Sequence, residues 1–83
     1  MTTEIKDKVK DYIMKEFLPG EDPDALEDTL SLIGGGILDS IATLKLVAFL
    51  EETFEIQVQA HEASPDYLDT LTRITSFVQS KLS

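Results

Sequence analysis

The sequence predicts an all-α fold: a small four-helix bundle with three longer helices, one short helix and a long first loop. Apolar residues recur at helical spacing near the start, in the middle and near the end of the chain. No segment has the pattern of a β-strand long enough to build a sheet. At 83 residues the chain has room for a single domain, spanning residues 1–83, on one core.

The first helix is predicted from about Thr3 to Phe17, where the string Leu-Pro-Gly stops it. One apolar stripe runs along this segment: Ile5, Val9, Tyr12, Ile13 and Phe17. Regular structure is weak from Gly20 to about Asp39, because a proline, three consecutive glycines and many acids interrupt it. A loop of this length in a small domain is usually functional or contains turns of its own. We expect four of its apolar residues to pin it to the core: Leu30, Leu32, Ile33 and Leu38.

A second helix is predicted from about Ser40 to Phe54, and 9 of its last 14 residues are apolar. One group of side chains shares the natural core face: Thr43, Leu46, Val47, Leu50 and Phe54. A second group, which we call the apolar strip, lies almost opposite: Ile41, Leu44 and Ala48. Either this helix is buried all round or the apolar strip is an exposed docking surface. In so small a domain we favour the docking surface.

The last third of the chain predicts a connector, a short helix and a long one. The connector alternates apolar and polar residues over 55–58. Ser64 and Pro65, followed by an acid, are typical of the start of one short helical turn. The last helix is predicted from about Thr70 to Lys81. Its apolar stripe comprises Leu71, Ile74, Val78 and Leu82, with Phe77 beside it.

Composition excludes several classes of function. Hydrophobic residues make up 42% of the chain, so it is globular, and 16 acidic against 7 basic residues give a net charge of -9. Phosphates repel such a chain, so we expect neither nucleic acid nor an anionic membrane as partner. There is no cysteine and one histidine, His61, so we expect no metal site. No signal-like or membrane-spanning apolar run is present, and we expect a cytoplasmic monomer.

The charge is distributed unevenly along the chain. Residues 16–69 contain 13 acids and a single base, Lys45, whereas the two ends together carry more bases than acids. A solvated surface that keeps a small protein soluble explains this pattern. A field that steers a basic partner explains it equally well, and charge alone leaves both interpretations open.

Several short motifs do not support catalysis by the chain itself. The triplet Gly34–Gly36 is not a phosphate loop, because no lysine follows it. The acids of the first loop lack the order of an EF-hand, so a solvated loop is favoured over a weak cation site. Ser40 is not set in a Gly-x-Ser-x-Gly elbow, and we expect His61 on the surface of the connector. A self-contained active site is therefore not expected.

The string Gly-Ile-Leu-Asp-Ser-Ile at 36–41 places a serine at the start of the second helix. Helix capping by Asp39 or Ser40 explains the two polar residues but not the apolar strip beside them. A hydroxyl at this position points into solvent, where another protein can modify it. A phosphodiester added there would lie near the positive end of the helix dipole, a contribution of about 0.3–1 kcal/mol.

The string Gly-x-x-Asp-Ser-Ile at 36–41, followed by Leu-Val-Ala-Phe-Leu-Glu-Glu-Thr-Phe at 46–54, resembles the acyl carrier and peptidyl carrier proteins. The resemblance extends over nearly the whole chain, through its length, acidity, long first loop and the Phe-Glu-Ile-Gln-Val segment from 54 to 58. It implies an acyl-carrier-like bundle. It also implies a non-catalytic carrier that holds acyl or aminoacyl intermediates as thioesters for partner enzymes.

The resemblance assigns roles to individual residues. Ser40 matches the serine to which a phosphopantetheinyl transferase attaches 4'-phosphopantetheine from coenzyme A. Asp39 matches the aspartate that helps present this serine and the magnesium-bound coenzyme A of the transferase. The apolar strip matches the partner-recognition helix, and Glu51 and Glu52 match acids that meet arginines and lysines of partner enzymes.

Two departures from fatty-acid carriers indicate a subtype. Lys45, which lies within the partner-binding surface, stands where those carriers usually have an acid, and the run at 34–38 also differs from theirs. The pattern is closer to free-standing carriers of polyketide, nonribosomal peptide or related specialised biosynthesis, which an adenylate-forming ligase often loads. A fatty-acid-synthesis carrier is the alternative. An unmodified acidic helical adaptor that binds a basic protein is the alternative from another class.

Overall fold

Four α-helices make up most of the part of the chain that the structure, a computed structural model, describes. The described residues are 2–22, 24 and 26–82, with the backbone alone described for residues 2 and 3. The helices, in chain order, are α1 (Thr2–Phe17), α2 (Ser40–Phe54), α3 (Pro65–Leu68) and α4 (Leu71–Leu82). A 3₁₀ turn, Ala60–Glu62, precedes α3, and the described residues form no strand. The predicted all-α bundle of three longer helices and one short helix is confirmed.

Local sequence signals explain where the helices begin and end. α2 has the predicted bounds because Asp39 caps its first turn and Glu55, in the left-handed region at φ 54°, ends it. α4 begins one residue later than predicted. Thr70 acts as a cap outside the helix, since its hydroxyl accepts a hydrogen bond from the Arg73 N–H at 3.1 Å.

One apolar core joins the helices. α1 packs mainly on α4, α2 packs on both, and α3 packs on α4. The fully buried side chains come from all four helices and from the first loop: Val9, Ile13, Leu26, Leu32, Leu38, Leu46, Leu50, Leu68, Leu71, Ile74 and Val78. Tyr12 stacks on Phe49 with ring centroids 4.1 Å apart, which adds an aromatic contact between α1 and α2. The prediction that Leu82 belongs to the buried stripe of α4 is wrong: it is 49% exposed, because it is the last residue of the helix and lies past the core.

The long first loop is held against the helices at several points. Leu32 and Leu38 are fully buried, and Leu30 and Ile33 pack partly against the core, as predicted. Lys6 of α1 forms an ion pair with the Asp28 carboxylate at 2.9 Å. The loop therefore has a defined path across α1 and α4 up to the start of α2.

The three consecutive glycines let this loop fold back on itself. The Gly35 N–H donates to the backbone carbonyl of Ser31 at 2.9 Å, and the Gly34 N–H donates to the Ser31 hydroxyl at 3.1 Å. A Cβ atom at either position would overlap an oxygen of Ser31. Gly36 has φ +84°, a backbone conformation that residues with a side chain rarely adopt. The triplet is therefore explained by a tight turn just before Ser40.

Candidate functional site

The start of α2 places Ser40 on the surface. The Asp39 carboxylate accepts a hydrogen bond from the Ala42 N–H at 2.7 Å, and the Asp39 carbonyl accepts one from the Thr43 N–H at 2.8 Å. Asp39 therefore caps the helix, and Ser40 is its first residue. Because the cap is supplied by its neighbour, the exposed Ser40 hydroxyl is left to solvent.

The apolar strip is exposed. Ile41 is 67% exposed, Leu44 is 65% exposed, and Ala48 is also exposed. On the opposite face of α2, Leu46 and Leu50 are fully buried. α2 is therefore not buried all round. Large apolar side chains in solvent beside Ser40 form a surface suited to contact with another protein.

The charged residues predicted beside the apolar strip differ in their surroundings. Lys45 and Glu52 are exposed. Glu51 is half-buried, and its carboxylate accepts a hydrogen bond from the Val58 N–H at 3.0 Å, so it ties the connector back onto α2. The structure thus gives Glu51 an internal contact that the sequence did not indicate, while Glu52 and Lys45 are free to face a partner.

A groove of about 570 Å³ opens beside Ser40. The first loop, α2 and the segment before α3 supply its lining: Ile33, Leu38, Asp39, Ser40, Thr43, Leu44, Ala63 and Pro65. Its volume lies within the range of small-molecule sites, about 300–1,000 Å³. Sequence analysis missed this groove because Ala63 and Pro65 are more than 20 positions away from Ser40, and no local pattern joins them.

Asp69, between α3 and α4, holds the first loop near this groove. Its carboxylate accepts hydrogen bonds from the Ser31 hydroxyl at 2.8 Å and from the Ile33 N–H at 3.0 Å. The Ser31 hydrogen bond, together with those from the Gly34 and Ile33 N–H groups and the nearby Arg73, holds the pKa of Asp69 below its usual value. Sequence analysis missed this residue as well.

Among the described residues, the arrangement supports neither a catalytic pair of Ser40 and His61 nor a metal site. His61 is exposed in the 3₁₀ turn and does not line the groove with Ser40. Within the described residues, no three or more Asp, Glu or His side chains are grouped so as to hold a metal ion. None of the described helices combines the length and apolar character needed to cross a bilayer.

The chain is similar to proteins named D-alanyl carrier protein. Three of them come from Streptococcus pyogenes: serotype M5 (strain Manfredo), serotype M49 (strain NZ131) and serotype M1. Each is 40% identical over 48 residues, which is 58% of this chain and 61% of the relative. The chain therefore spans about three fifths of the length of these curated relatives. No family model matches the chain. This similarity confirms the resemblance to carrier proteins.

Proposed function

We propose that this chain is a non-catalytic carrier protein. A phosphopantetheinyl transferase attaches a 4'-phosphopantetheine arm from coenzyme A to Ser40, and the chain then presents the carried group to partner enzymes. The observation that carries this proposal is the position of Ser40, which is exposed at the start of α2, lines the groove and lies beside the apolar strip. The similarity to D-alanyl carrier proteins supports the same role.

The residues around Ser40 fit such an arm. As the first residue of α2, Ser40 lies at the positive end of the helix dipole, which favours the negative charge of a phosphodiester. The groove beside it, about 570 Å³, has room for a small-molecule chain and is lined in part by Ile33, Leu38 and Leu44. When attached, the arm supplies a terminal thiol that holds the carried group as a thioester. The chain has no cysteine whose thiol would compete for that group.

α2 supplies the surface on which partner enzymes dock. Ile41 and Leu44 offer an apolar contact at the N-terminal half of the helix, and Glu52 offers a negative charge near its end. The charged part of such a contact weakens as the salt concentration rises. The contact is also brief, because a carrier has to leave one enzyme before it binds the next. The benefit to each partner is proximity, because a tethered substrate is present at a high effective concentration.

We propose an aminoacyl group as the cargo, loaded by an adenylate-forming ligase. The similarity to proteins named for a D-alanyl group makes D-alanine the first cargo to test. Lys45 places a positive charge on the partner-binding face, which argues against the alternative of a fatty-acid-synthesis carrier. We propose that the chain acts as a monomer in the cytoplasm, in a pathway of specialised biosynthesis.

Replacement of Ser40 tests the site. We expect wild-type protein incubated with coenzyme A and a broad-specificity transferase to gain the mass of one arm, measured by intact-protein mass spectrometry. Ser40→Ala is expected to gain none and to keep the helical circular dichroism, because Asp39 provides the cap. Ser76→Ala, which removes an exposed serine of α4, is the matched control and should be modified like wild type.

The same measurement separates the carrier from the unmodified adaptor. A folded wild-type chain whose mass does not change under these conditions is the result expected of an adaptor and would refute the carrier proposal. Arm attachment that persists in Ser40→Ala would refute the site while leaving the carrier role in place.

A further inference from the structure

Part of the first loop is hydrogen-bonded to Asp69. The Ser31 hydroxyl lies 2.8 Å from one carboxylate oxygen and 3.0 Å from the other. The N–H groups of Ile33 and Gly34 also point at the first of these oxygens, at 3.0 and 3.3 Å. In addition, the backbone carbonyl of Asp69 accepts a hydrogen bond from the Leu32 N–H at 2.6 Å. We call this set of contacts the Asp69 latch.

Hydrogen bonds continue from the Asp69 latch to the start of α2. The carbonyl of Leu32 accepts hydrogen bonds from the N–H groups of both Ile37 and Leu38, each at 2.9 Å. Leu32 and Leu38 are fully buried, so this part of the loop is also fixed by packing. Leu38 is followed directly by Asp39 and Ser40. A short, continuous series of hydrogen bonds and backbone links thus sets the position of Ser40 relative to the α3–α4 junction.

The Asp69 latch also shapes the groove. Ile33, whose N–H is bound by the Asp69 carboxylate, and Leu38 line one side, while Pro65 of α3 lines another. Arg73 donates to the carbonyl of Pro65 at 3.2 Å, which holds the start of α3 to α4. Hydrogen bonds next to the α3–α4 junction, where Asp69 lies, therefore hold both sides of the groove in place.

We propose that Asp69 is a positioning residue for the modification of Ser40: its carboxylate fixes residues 31–38 and so holds Ser40 in the orientation that the transferase uses. This inference rests on the proposed carrier function. Asp69 is hydrogen-bonded to the loop and not to Ser40, so it acts through the loop. Docking depends on the apolar strip of α2, and the hydrogen bonds of the Asp69 latch are made to residues 31–34 and not to that strip. Loss of the latch should therefore slow the modification of bound carrier more than it weakens docking.

Two variants and one control test this inference. Asp69→Ala removes all the carboxylate contacts, and Ser31→Ala removes the hydroxyl that bridges to Asp69 and to the Gly34 N–H. Asp66→Ala is the matched control, because it removes an exposed acid of α3 three positions earlier in the chain. For each variant, kcat and KM for the carrier are measured with a broad-specificity transferase. Hydrogen exchange of the Ile33, Ile37 and Leu38 amides is followed by NMR.

We expect Asp69→Ala to lower kcat about tenfold with little change in KM, since small misplacements of a reacting group cost factors of about 10–100. Exchange of the loop amides should become faster, Ser31→Ala should show the same changes to a smaller extent, and Asp66→Ala should behave like wild type. Wild-type kcat in both loop variants overturns the proposal, as does a loss that falls on KM alone. If Asp69→Ala does not fold, Ser31→Ala decides by the same criteria.

The exchange measurement needs no transferase, which separates two kinds of failure. If wild-type protein gains no arm, the carrier function is refuted and the positioning role with it. Exchange in the two variants then still shows whether Asp69 holds the loop. If wild type is modified and the loop variants keep its kcat, the carrier function stands and the inference about Asp69 is wrong.

Discussion

Two adjacent residues at the start of α2 divide two tasks between them. Asp39 closes the helix by accepting the Ala42 N–H at 2.7 Å, and Ser40 offers an exposed hydroxyl. Capping alone accounts for the geometry of Asp39, whereas the resemblance to carrier proteins implies that its carboxylate also helps to present the serine. The two explanations make different predictions, because asparagine caps a helix as well as aspartate does but lacks the negative charge.

Substitutions of Asp39 by asparagine and by alanine separate capping from presentation. We expect Asp39→Asn to leave the free energy of unfolding nearly unchanged, and Asp39→Ala to lower it by about 1 kcal/mol. If the charge is needed, both variants should be modified at Ser40 much more slowly than wild type. Urea unfolding and the rate of arm attachment provide the two measurements. Normal attachment to Asp39→Asn would show that the carboxylate serves the helix alone.

The pKa of Asp69 predicts how the Asp69 latch responds to acid. Hydrogen bonds from Ser31 and two amides lower this pKa, so the folded state binds its proton less readily than the unfolded chain does. The stability that the carboxylate contributes is then fully present above its unfolded pKa, about 3.9, and is lost as pH falls through the lower folded value. The destabilisation caused by Asp69→Ala should therefore be largest near neutral pH and shrink in strong acid.

Urea unfolding of wild type and Asp69→Ala, from neutral pH to strong acid, measures the difference between their free energies of unfolding. Asp66→Ala, measured in parallel, corrects for the loss of one acid from a chain with net charge -9. A destabilisation that stays constant from neutral pH into strong acid would mean that the ionised carboxylate contributes no more than the protonated acid does.

Local sequence indicated Ser40 as the proposed modification site but gave no indication of Asp69. The neighbours Asp39, Ser40 and Ile41 form a contiguous pattern, and helical spacing alone places the apolar strip beside them. Asp69 acquires its role through Ser31 and Ile33, which lie 38 and 36 positions away. Contacts at such separations depend on the packing of the whole chain, and no short motif encodes them.

At the scale of elements, α2 presents two apolar faces with opposite surroundings. Leu46 is fully buried, and Leu44, two positions earlier, is 65% exposed. Helical spacing predicted both faces, and burial in the structure distinguishes them. The part of this element that spacing could not predict is the half-buried Glu51, because its hydrogen bond to Val58 depends on how the connector turns back.

A matched pair of truncations on α2 separates docking from stability. We expect Leu46→Ala to lower the free energy of unfolding by about 2–5 kcal/mol, because it leaves a cavity in the core. Leu44→Ala, at an exposed position, should change it by no more than about 0.5 kcal/mol. The transferase should show a higher KM for Leu44→Ala, since part of the apolar contact is lost. Thermal unfolding and transferase kinetics check the pair, and an unchanged KM for Leu44→Ala would exclude Leu44 from the docking surface.

At the scale of the whole molecule, charge acts in two ways. Within the described residues, two ion pairs join the more basic ends of the chain to its acidic middle: Lys6 with Asp28 at 2.9 Å, and Lys81 with Glu62 at 2.8 Å. The net charge of -9 remains, however, and produces repulsion across the folded chain. Composition predicted this excess of negative charge, but the partners of Lys6 and Lys81, 22 and 19 positions away, required the fold.

Salt should therefore affect folding and docking in opposite directions. Raising NaCl from about 0.01 to 0.1 M shortens the screening length from about 30 to 10 Å. Repulsion within the acidic chain then weakens, and we expect Tm to rise. The same screening weakens attraction to a basic partner, so KM of the transferase for the carrier should increase. A Tm that falls with salt would show that the two ion pairs outweigh the repulsion. A KM that does not change would mean that the apolar strip alone brings the partner to Ser40.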